Sequence, residues 1–247
     1  MTSRLSRART VTRAKRWAFH RLKKPHDREF YALERVPNIH GLVLDIGAHE
    51  GQAALSLSAI CPGHRIVSIE ANPFVLPELS RTYNRYRIHG SIIHAAVSDS
   101  NSEVRLSVPQ IGRFLSSQGA SLRPDFIGAR TRDFCESYGQ APDRLVEVMV
   151  KGMTVDELGV DADLIKIDVE GAIDVEGAEA AVIRGATATI ARSRPWIFLE
   201  VRGSGGEAES LLRDLGYQIA FPTSDHSQNT TDVPSPGQVN ALCRPLP

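Results

Sequence analysis

Asp45, Gly47, Gly51 and Glu70 combine residue types and spacings that can do chemistry. The first three lie in Leu42-Val-Leu-Asp-Ile-Gly-Ala-His-Glu-Gly51, and Ser68-Ile-Glu70 follows further on. A short apolar run ends in an acid and then in a glycine-containing turn. Ala53, Ala54, Leu55 and Leu57 come next at helical spacing. Strand, tight turn and helix make half of a nucleotide-binding βαβ unit. Gly47 and Gly51 let the backbone approach a ligand that side chains would exclude. A second strand, 65–70, ends in Glu70, whose carboxylate is placed to accept hydrogen bonds from both hydroxyls of a ribose.

Charge selects the ligand. The dinucleotide fingerprint G-x-G-x-x-G aims a helix N-terminus at a pyrophosphate. Here the third glycine is missing, Asp45 stands two residues before Gly47, and Glu50 lies inside the loop. No Lys or Arg occurs between Gly41 and His64. Such a turn repels phosphate and suits a nucleoside with a cationic end, as in S-adenosylmethionine, whose sulfonium and amino groups are positive. Ala48 and His49 complete the donor turn. A nicotinamide oxidoreductase would also need a second catalytic domain, which the chain does not show.

The elements that must position these residues alternate. Phe30–Val36 reads as a short helix, 42–46 as strand one and 51–60 as a helix. Strand two is 65–70. Asn72-Pro73 opens a helix over about 73–84, with proline in the first turn where its missing N–H costs nothing. Strand three is 91–97. Residues 104–108 and 144–150 alternate apolar and polar, so each reads as a strand with one wet face. Thr154 caps a short helix, 155–158. A buried strand, 163–168, ends in Asp168. One helix is predicted over 177–192, a strand over 195–201, and a helix over 207–215 closed by Gly216. Strands at 217–221 and 239–243 finish the chain. Residues 110–142 and 222–238 have the least pattern and are predicted loops. Alternating strands and helices mean a doubly wound sheet, with ligands at the carboxyl ends of the strands.

The 247 residues suffice for one α/β domain, and 42 % hydrophobic content with zero formal net charge is ordinary for a globular protein. Cys61, Cys135 and Cys243 show neither metal-ligand spacing nor a disulfide framework, which predicts a reducing, cytoplasmic setting. The neutral total hides an asymmetry. Residues 1–24 hold Arg4, Arg7, Arg9, Arg13, Lys15, Arg16, Arg21, Lys23 and Lys24 and no acid. Trp17, Phe19 and Leu22 lie at the end of this run. With no apolar run before a cleavage site, it is not a secretory signal. Residues 1–29 therefore read as a basic arm, solvated or meeting anionic lipid, ahead of a domain over 30–247. No basic-aromatic pattern continues into the folded part, so nucleic acid is not an expected partner.

Six segments in order give the chain a resemblance: Val-Leu-Asp-Ile-Gly-Ala-His, Ile-Glu-Ala-Asn-Pro, His-Ala-Ala-Val-Ser-Asp, Thr-Val-Asp-Glu-Leu, Asp-Leu-Ile-Lys-Ile-Asp-Val-Glu-Gly-Ala and Arg-Pro-Trp-Ile-Phe-Leu-Glu-Val. Over about residues 40–202 it resembles the FkbM family of S-adenosylmethionine-dependent methyltransferases. The resemblance implies a Rossmann-like class I methyltransferase, with a doubly wound, mostly parallel sheet and a terminal antiparallel hairpin. It implies O-methylation of hydroxyls on sugars, glycolipids or polyketide-like natural products. By motif position Asp45, Gly47 and Glu70 contact the donor, Asn72 lies beside the adenosine, and Ser98 and Asp99 lie near the adenine.

O-methylation needs alignment of oxygen, methyl and sulfur, and a base for the hydroxyl proton. Asp168 opens toward the same sheet edge as Asp45 and is the first candidate base; Glu170 is the second. Glu200 ends the next strand and is placed to orient the acceptor. His49, inside the donor loop, and His94, inside a core strand, are better read as structural. Asp168 and Glu170 could also hold magnesium, which nothing in the sequence demands, and no metal is expected.

The chain departs from the family pattern once. Ile-Asp-Val-Glu-Gly-Ala at 167–172 recurs unchanged at 173–178. Six extra residues would rotate a helix by about 240° but keep the face of a strand. The insert therefore belongs in the loop between strand and helix, at the active-site edge. Either copy can supply the working acids, Asp168 and Glu170 or Asp174 and Glu176, with Asp168 continuing the strand directly. The repeat reads either as a reshaped acceptor pocket or as a duplication that impairs transfer and leaves a donor-binding protein.

Overall fold

The computed structural model describes residues 21–22, 24–37, 41–115, 120, 141–169, 178–201, 206–222, 230–231 and 240–246. Its main sheet contains β1 (Leu42–Ile46), β2 (Arg65–Glu70), β3 (Gly90–His94), β9 (Leu164–Ile167), β10 (Trp196–Glu200), β11 (Tyr217–Pro222), β12 (Thr230–Thr231) and β13 (Asn240–Pro245). The spatial order is β12-β11-β13-β10-β9-β1-β2-β3. β3, β2, β1, β9 and β10 are mutually parallel, whereas β13 runs antiparallel between β10 and β11. This is the expected doubly wound, mostly parallel sheet with a terminal antiparallel hairpin. The chain moves outward from β1 to β3 and then returns on the other side at β9. The carboxyl ends of β1 and β9 thus flank the switch point where such sheets bind ligands.

Alternation along the strands sorts side chains onto two faces. Leu44, Ile46, Val67, Ile69, Ile165 and Ile167 pack with residues of α3 (Ala178–Arg184), α4 (Thr187–Ser193) and α5 (Glu207–Asp214). Val43, Ile66, Leu164, Phe198 and Leu242 pack on the other face. There they meet α1 (Gln52–Ile60), α2 (Leu76–Tyr86) and a 3-10 helix, Arg28–Arg35. Each fully buried aliphatic side chain contributes roughly 1.5–3 kcal/mol. Together these faces hold the carboxyl edge in place.

Three predicted elements are interrupted, each for a local reason. The strand over 91–97 breaks at Ala95, whose N–H donates to the Glu70 carbonyl; β4 (Ala96–Val97) then pairs with β8 (Gly152–Met153) instead. The single helix over 177–192 is two, because Gly185 lies against the Ser98 carbonyl, where a Cβ would sit 2.1 Å from that oxygen. The Asp156 carboxylate then accepts the Ala188 and Thr189 N–H groups, capping the second helix. The helix predicted from Pro73 begins at Leu76, since the Asn72 side chain accepts the Phe74 N–H and holds a turn there. The two strands with a wet face, β5 (Val104–Ile111) and β7 (Arg144–Val150), pair with each other in a separate small sheet with β6 (Phe114–Leu115).

Candidate active site

A polar row crosses the sheet on the α1 side. Asp45 pairs in register with Ser68 of β2 and Lys166 of β9, so the three side chains face the same way. Ser68 Oγ donates to Asp45 Oδ2 at 2.8 Å, and the Tyr83 hydroxyl donates to Ser68 Oγ at 2.8 Å. Lys166 Nζ lies 3.3 Å from Asp45 Oδ1 and 3.1 Å from Asp168 Oδ2, and it donates to the Gly47 carbonyl at 2.9 Å. Burial alone would lower the pKa of Lys166. The Asp168 and Asp45 carboxylates outweigh burial and raise its pKa above the ordinary lysine value. Asp45 is 0 % exposed. Its carboxylate is enclosed by Lys166 and Ser68, directly below the turn expected to hold the donor.

The turn itself is fixed by Glu70. Its Oε2 accepts the His49 N–H and its Oε1 accepts the Asn72 N–H, both at 2.7 Å. One buried carboxylate thereby joins the loop after β1 to the loop after β2. Burial raises its pKa, and the two backbone donors only partly offset this. Asn72 Nδ2 is buried with no hydrogen-bond partner. The glycines also serve packing. A Cβ on Gly47, at φ +76°, would lie 1.8 Å from the Asp168 carbonyl oxygen. One on Gly51 would meet Leu79 and Thr82 of α2 at 3.0 Å. Ala48 is buried, and His49 holds a left-handed φ of 49°.

Asp168 is half-open to solvent. Burial would raise its carboxyl, but the Lys166 ammonium and a hydrogen bond with Glu200 hold it down at about 2. So weak a base is poorly matched to proton removal near neutral pH. Ser98 hydrogen-bonds the backbone of Ser100, and Asp99 is spent on Arg184 at 3.0 Å, with Glu207 on the same guanidinium. His94 is exposed, with Nε2 3.1 Å from the Ala71 carbonyl. Glu170, Asp174 and Glu176, with most of the duplicated hexapeptide, lie outside the described residues, as do residues 1–20.

Sequence reasoning missed Lys166 and the segment Pro25–Phe30. For Lys166 a signal existed: a cation between Ile165 and Ile167 in a central strand must be paired to be buried. For the second segment none existed, because His26 and Glu29 fall inside the basic arm. Yet His26 bonds Ser56 of α1, and Glu29 Oε2 accepts both the backbone N–H and the Nδ2 of Asn240. Asn240 is the register partner of Glu200.

Residues 172–219 match the family described as methyltransferase FkbM domain. No curated protein matches the chain. Among solved structures it is similar to a precorrin-6y C5,15-methyltransferase from Geobacter metallireducens, at 15 % identity and TM-score 0.47, covering 87 % of this chain and 84 % of that one. It is similar to a TehB-like SAM-dependent methyltransferase from Corynebacterium glutamicum at 13 % identity and TM-score 0.44, covering 96 % of both chains. It is also similar to a fibrillarin from Aeropyrum pernix with natively bound S-adenosyl-L-methionine, at 14 % identity and TM-score 0.44, covering 88 % and 76 %.

The residues upstream of the FkbM match fit S-adenosylmethionine. Asp45, Glu70 and Asp168 bring three carboxylates to one edge, and Lys166 neutralises one of them. The surplus negative charge favours a cationic ligand over a pyrophosphate. Asn72 Nδ2 offers a buried donor with no protein partner, beside the Glu70 carboxylate. Among the described residues no cluster of three His, Cys, Asp or Glu could hold a metal ion, and no helix is long and apolar enough to cross a membrane.

Proposed function

We propose that this protein transfers a methyl group from S-adenosylmethionine to a hydroxyl of a sugar, glycolipid or polyketide-like acceptor. The observation that carries the reading is the Glu70 bridge between the two donor loops, with Asn72 Nδ2 unpaired beside it. Glu70 keeps lone pairs free for a ribose, Asn72 Nδ2 donates to the nucleoside, and the enclosed Asp45–Lys166 pair keeps the turn from shifting. S-adenosylmethionine supplies an electrophilic methyl when bound, so the chain's task is mainly alignment. Asp168, fixed by Lys166, supplies negative charge at the switch point, and Glu200 orients the acceptor. Residues 110–142 and 222–238 select the acceptor, and residues 1–24 meet an anionic membrane surface.

The test is mass spectrometry of hydroxylated glycans and lipids incubated with protein and donor. The expected result is a gain of one methyl group on a hydroxyl oxygen. Donor binding without transfer to any hydroxyl rejects the reading. The duplicated hexapeptide favours a second reading, a donor-binding protein impaired in transfer, which that outcome would support.

A further inference from the structure

The segment Pro25–Phe30 spans the carboxyl edge on the polar row's side. At one end His26 is bonded to Ser56 on α1; at the other, Glu29 is bonded to Asn240 on β13, and the Phe30 ring meets Phe198 of β10 edge-on at 5.0 Å. Between these anchors lie β1, β9 and β10, which carry Asp45, Lys166 with Asp168, and Glu200. The His26 ring packs on Phe30 at 4.8 Å, is open to solvent, and feels the charges of Asp27, Lys166, Asp168 and Asp45.

We propose that His26 accepts the proton of the acceptor hydroxyl; this rests on the O-methyltransferase reading above. The bonding around Ser56 sets the ring's state. Ser56 Oγ lies 3.1 Å from the Gln52 carbonyl, 3.0 Å from the His26 backbone N and 2.8 Å from His26 Nδ1. The hydroxyl has one proton, and the backbone N–H must donate to its oxygen. All three contacts are satisfied together when Ser56 donates to Gln52 and Nδ1 carries the ring proton. Nε2 then holds a lone pair on the unbonded side of the ring. Nε2 gains the hydroxyl proton as the oxygen's lone pair becomes the bond to the methyl carbon, and the former carbon–sulfur pair stays with the donor's sulfur. The resulting imidazolium is stabilised by the charges of Asp27, Asp168 and Asp45 and loses its proton to solvent.

The alternatives are less suited. Asp168 is held ionised by Lys166, the His49 ring sits in the donor turn where its charge acts on Glu70 and Asp168, His64 is buried against the Cys61 carbonyl, and His94 lies on Ala71. The charged groups acting on His26 are Asp27 from its own segment, Asp45 from β1, and Lys166 and Asp168 from β9 and its end. Desolvation by the surrounding protein, aided by Lys166, outweighs the three acids and lowers the ring's pKa, so the neutral form prevails at pH 7.

Long-range proton–nitrogen NMR on the labelled full chain, assigned with His26→Gln, reads the tautomer without any turnover. A neutral ring protonated on Nδ1, lost in Ser56→Ala, is expected. In turnover, His26→Gln should bind S-adenosylmethionine within about twofold of wild type, lose roughly 10²–10⁴-fold in kcat, and lose the acid limb of the pH profile. A ring proton on Nε2, or His26→Gln with wild-type kcat and an intact acid limb, overturns the assignment. Failure of the underlying reading looks different: wild type and variant alike then bind no donor, or bind it and methylate no hydroxyl, which rejects both.

Discussion

Lys166 Nζ lies 3.1 Å from Asp168 Oδ2, so the acid at the end of β9 is held by the same ammonium that neutralises buried Asp45. One cation therefore ties the turn after β1 to the carboxyl end of β9. It also donates to the Gly47 carbonyl, inside the turn itself.

Removing this cation should be costly. Lys166→Met leaves Asp45 charged, 0 % exposed and without its ion partner. Breaking such a buried pair costs about 3–5 kcal/mol. Urea unfolding should show that loss, and Lys166→Met with Asp45→Asn should lose less than the sum of the single changes. Additive losses would mean that the two residues do not act as a pair.

Acid unfolding should carry a signature of Asp168. Its carboxyl is held at about 2 in the fold against an ordinary 3.8. A depressed folded value contributes stability above the ordinary value and loses it as pH falls through the folded one. Unfolding free energy should therefore decline between about pH 4 and 2, and Asp168→Asn should flatten that decline. With its side chain 39 % exposed to screening water, the effect is a change of slope rather than a collapse.

Donor affinity should depend on Glu70. Its two oxygens hold the His49 and Asn72 N–H groups of the two loops proposed to bind the donor. Glu70→Ala removes charge-assisted bonds worth about 1.5–3 kcal/mol each. Calorimetry with S-adenosylmethionine should show at least a tenfold weaker Kd, by about 1.4 kcal/mol per decade. Unchanged affinity would sink the ribose role.

Gly47 and Gly63 separate strain from overlap. Both have a positive φ, 76° and 91°, but only Gly47 has a neighbour where a Cβ would go. Gly63→Ala should cost about 1–2 kcal/mol for the left-handed backbone alone. Gly47→Ala must also displace the Asp168 carbonyl, adding overpacking to strain for a loss of about 3 kcal/mol or more. Equal melting temperatures for the two variants would contradict the close approach.

Several strands were legible because apolar patterning is written locally: β1, β2 and β7 have the predicted bounds. What local pattern does not hold is the contact made across the fold. The break between α3 and α4 depends on Ser98 approaching Gly185, and the split after His94 on Ala95 bonding Glu70. The site shows the same division. The acid–glycine turn and Glu70 are read from neighbours in sequence. The Tyr83–Ser68–Asp45–Lys166 row and the placement of His26 on Ser56 join residues 15 to 121 positions apart. No single window contains them.

On the proposed function, the duplicated Ile-Asp-Val-Glu-Gly-Ala should bear on acceptor chemistry rather than on donor binding. The donor contacts argued above lie on the β1 and β2 loops, and β9 enters the repeat through Ile167 with its strand register intact. Deleting 173–178 should therefore leave S-adenosylmethionine affinity within about twofold, since one residue set holds the donor in both forms. It shortens the connection from β9 to α3 by an even number of residues, so the β9 face is kept while the loop above Asp168 changes. Methyl transfer across a panel of glycosides should persist in the natural chain and shift its ranking of acceptors in the deletion. Transfer seen only after the deletion would show that the duplication disables the enzyme, and the O-methyltransferase reading of the natural chain would fall.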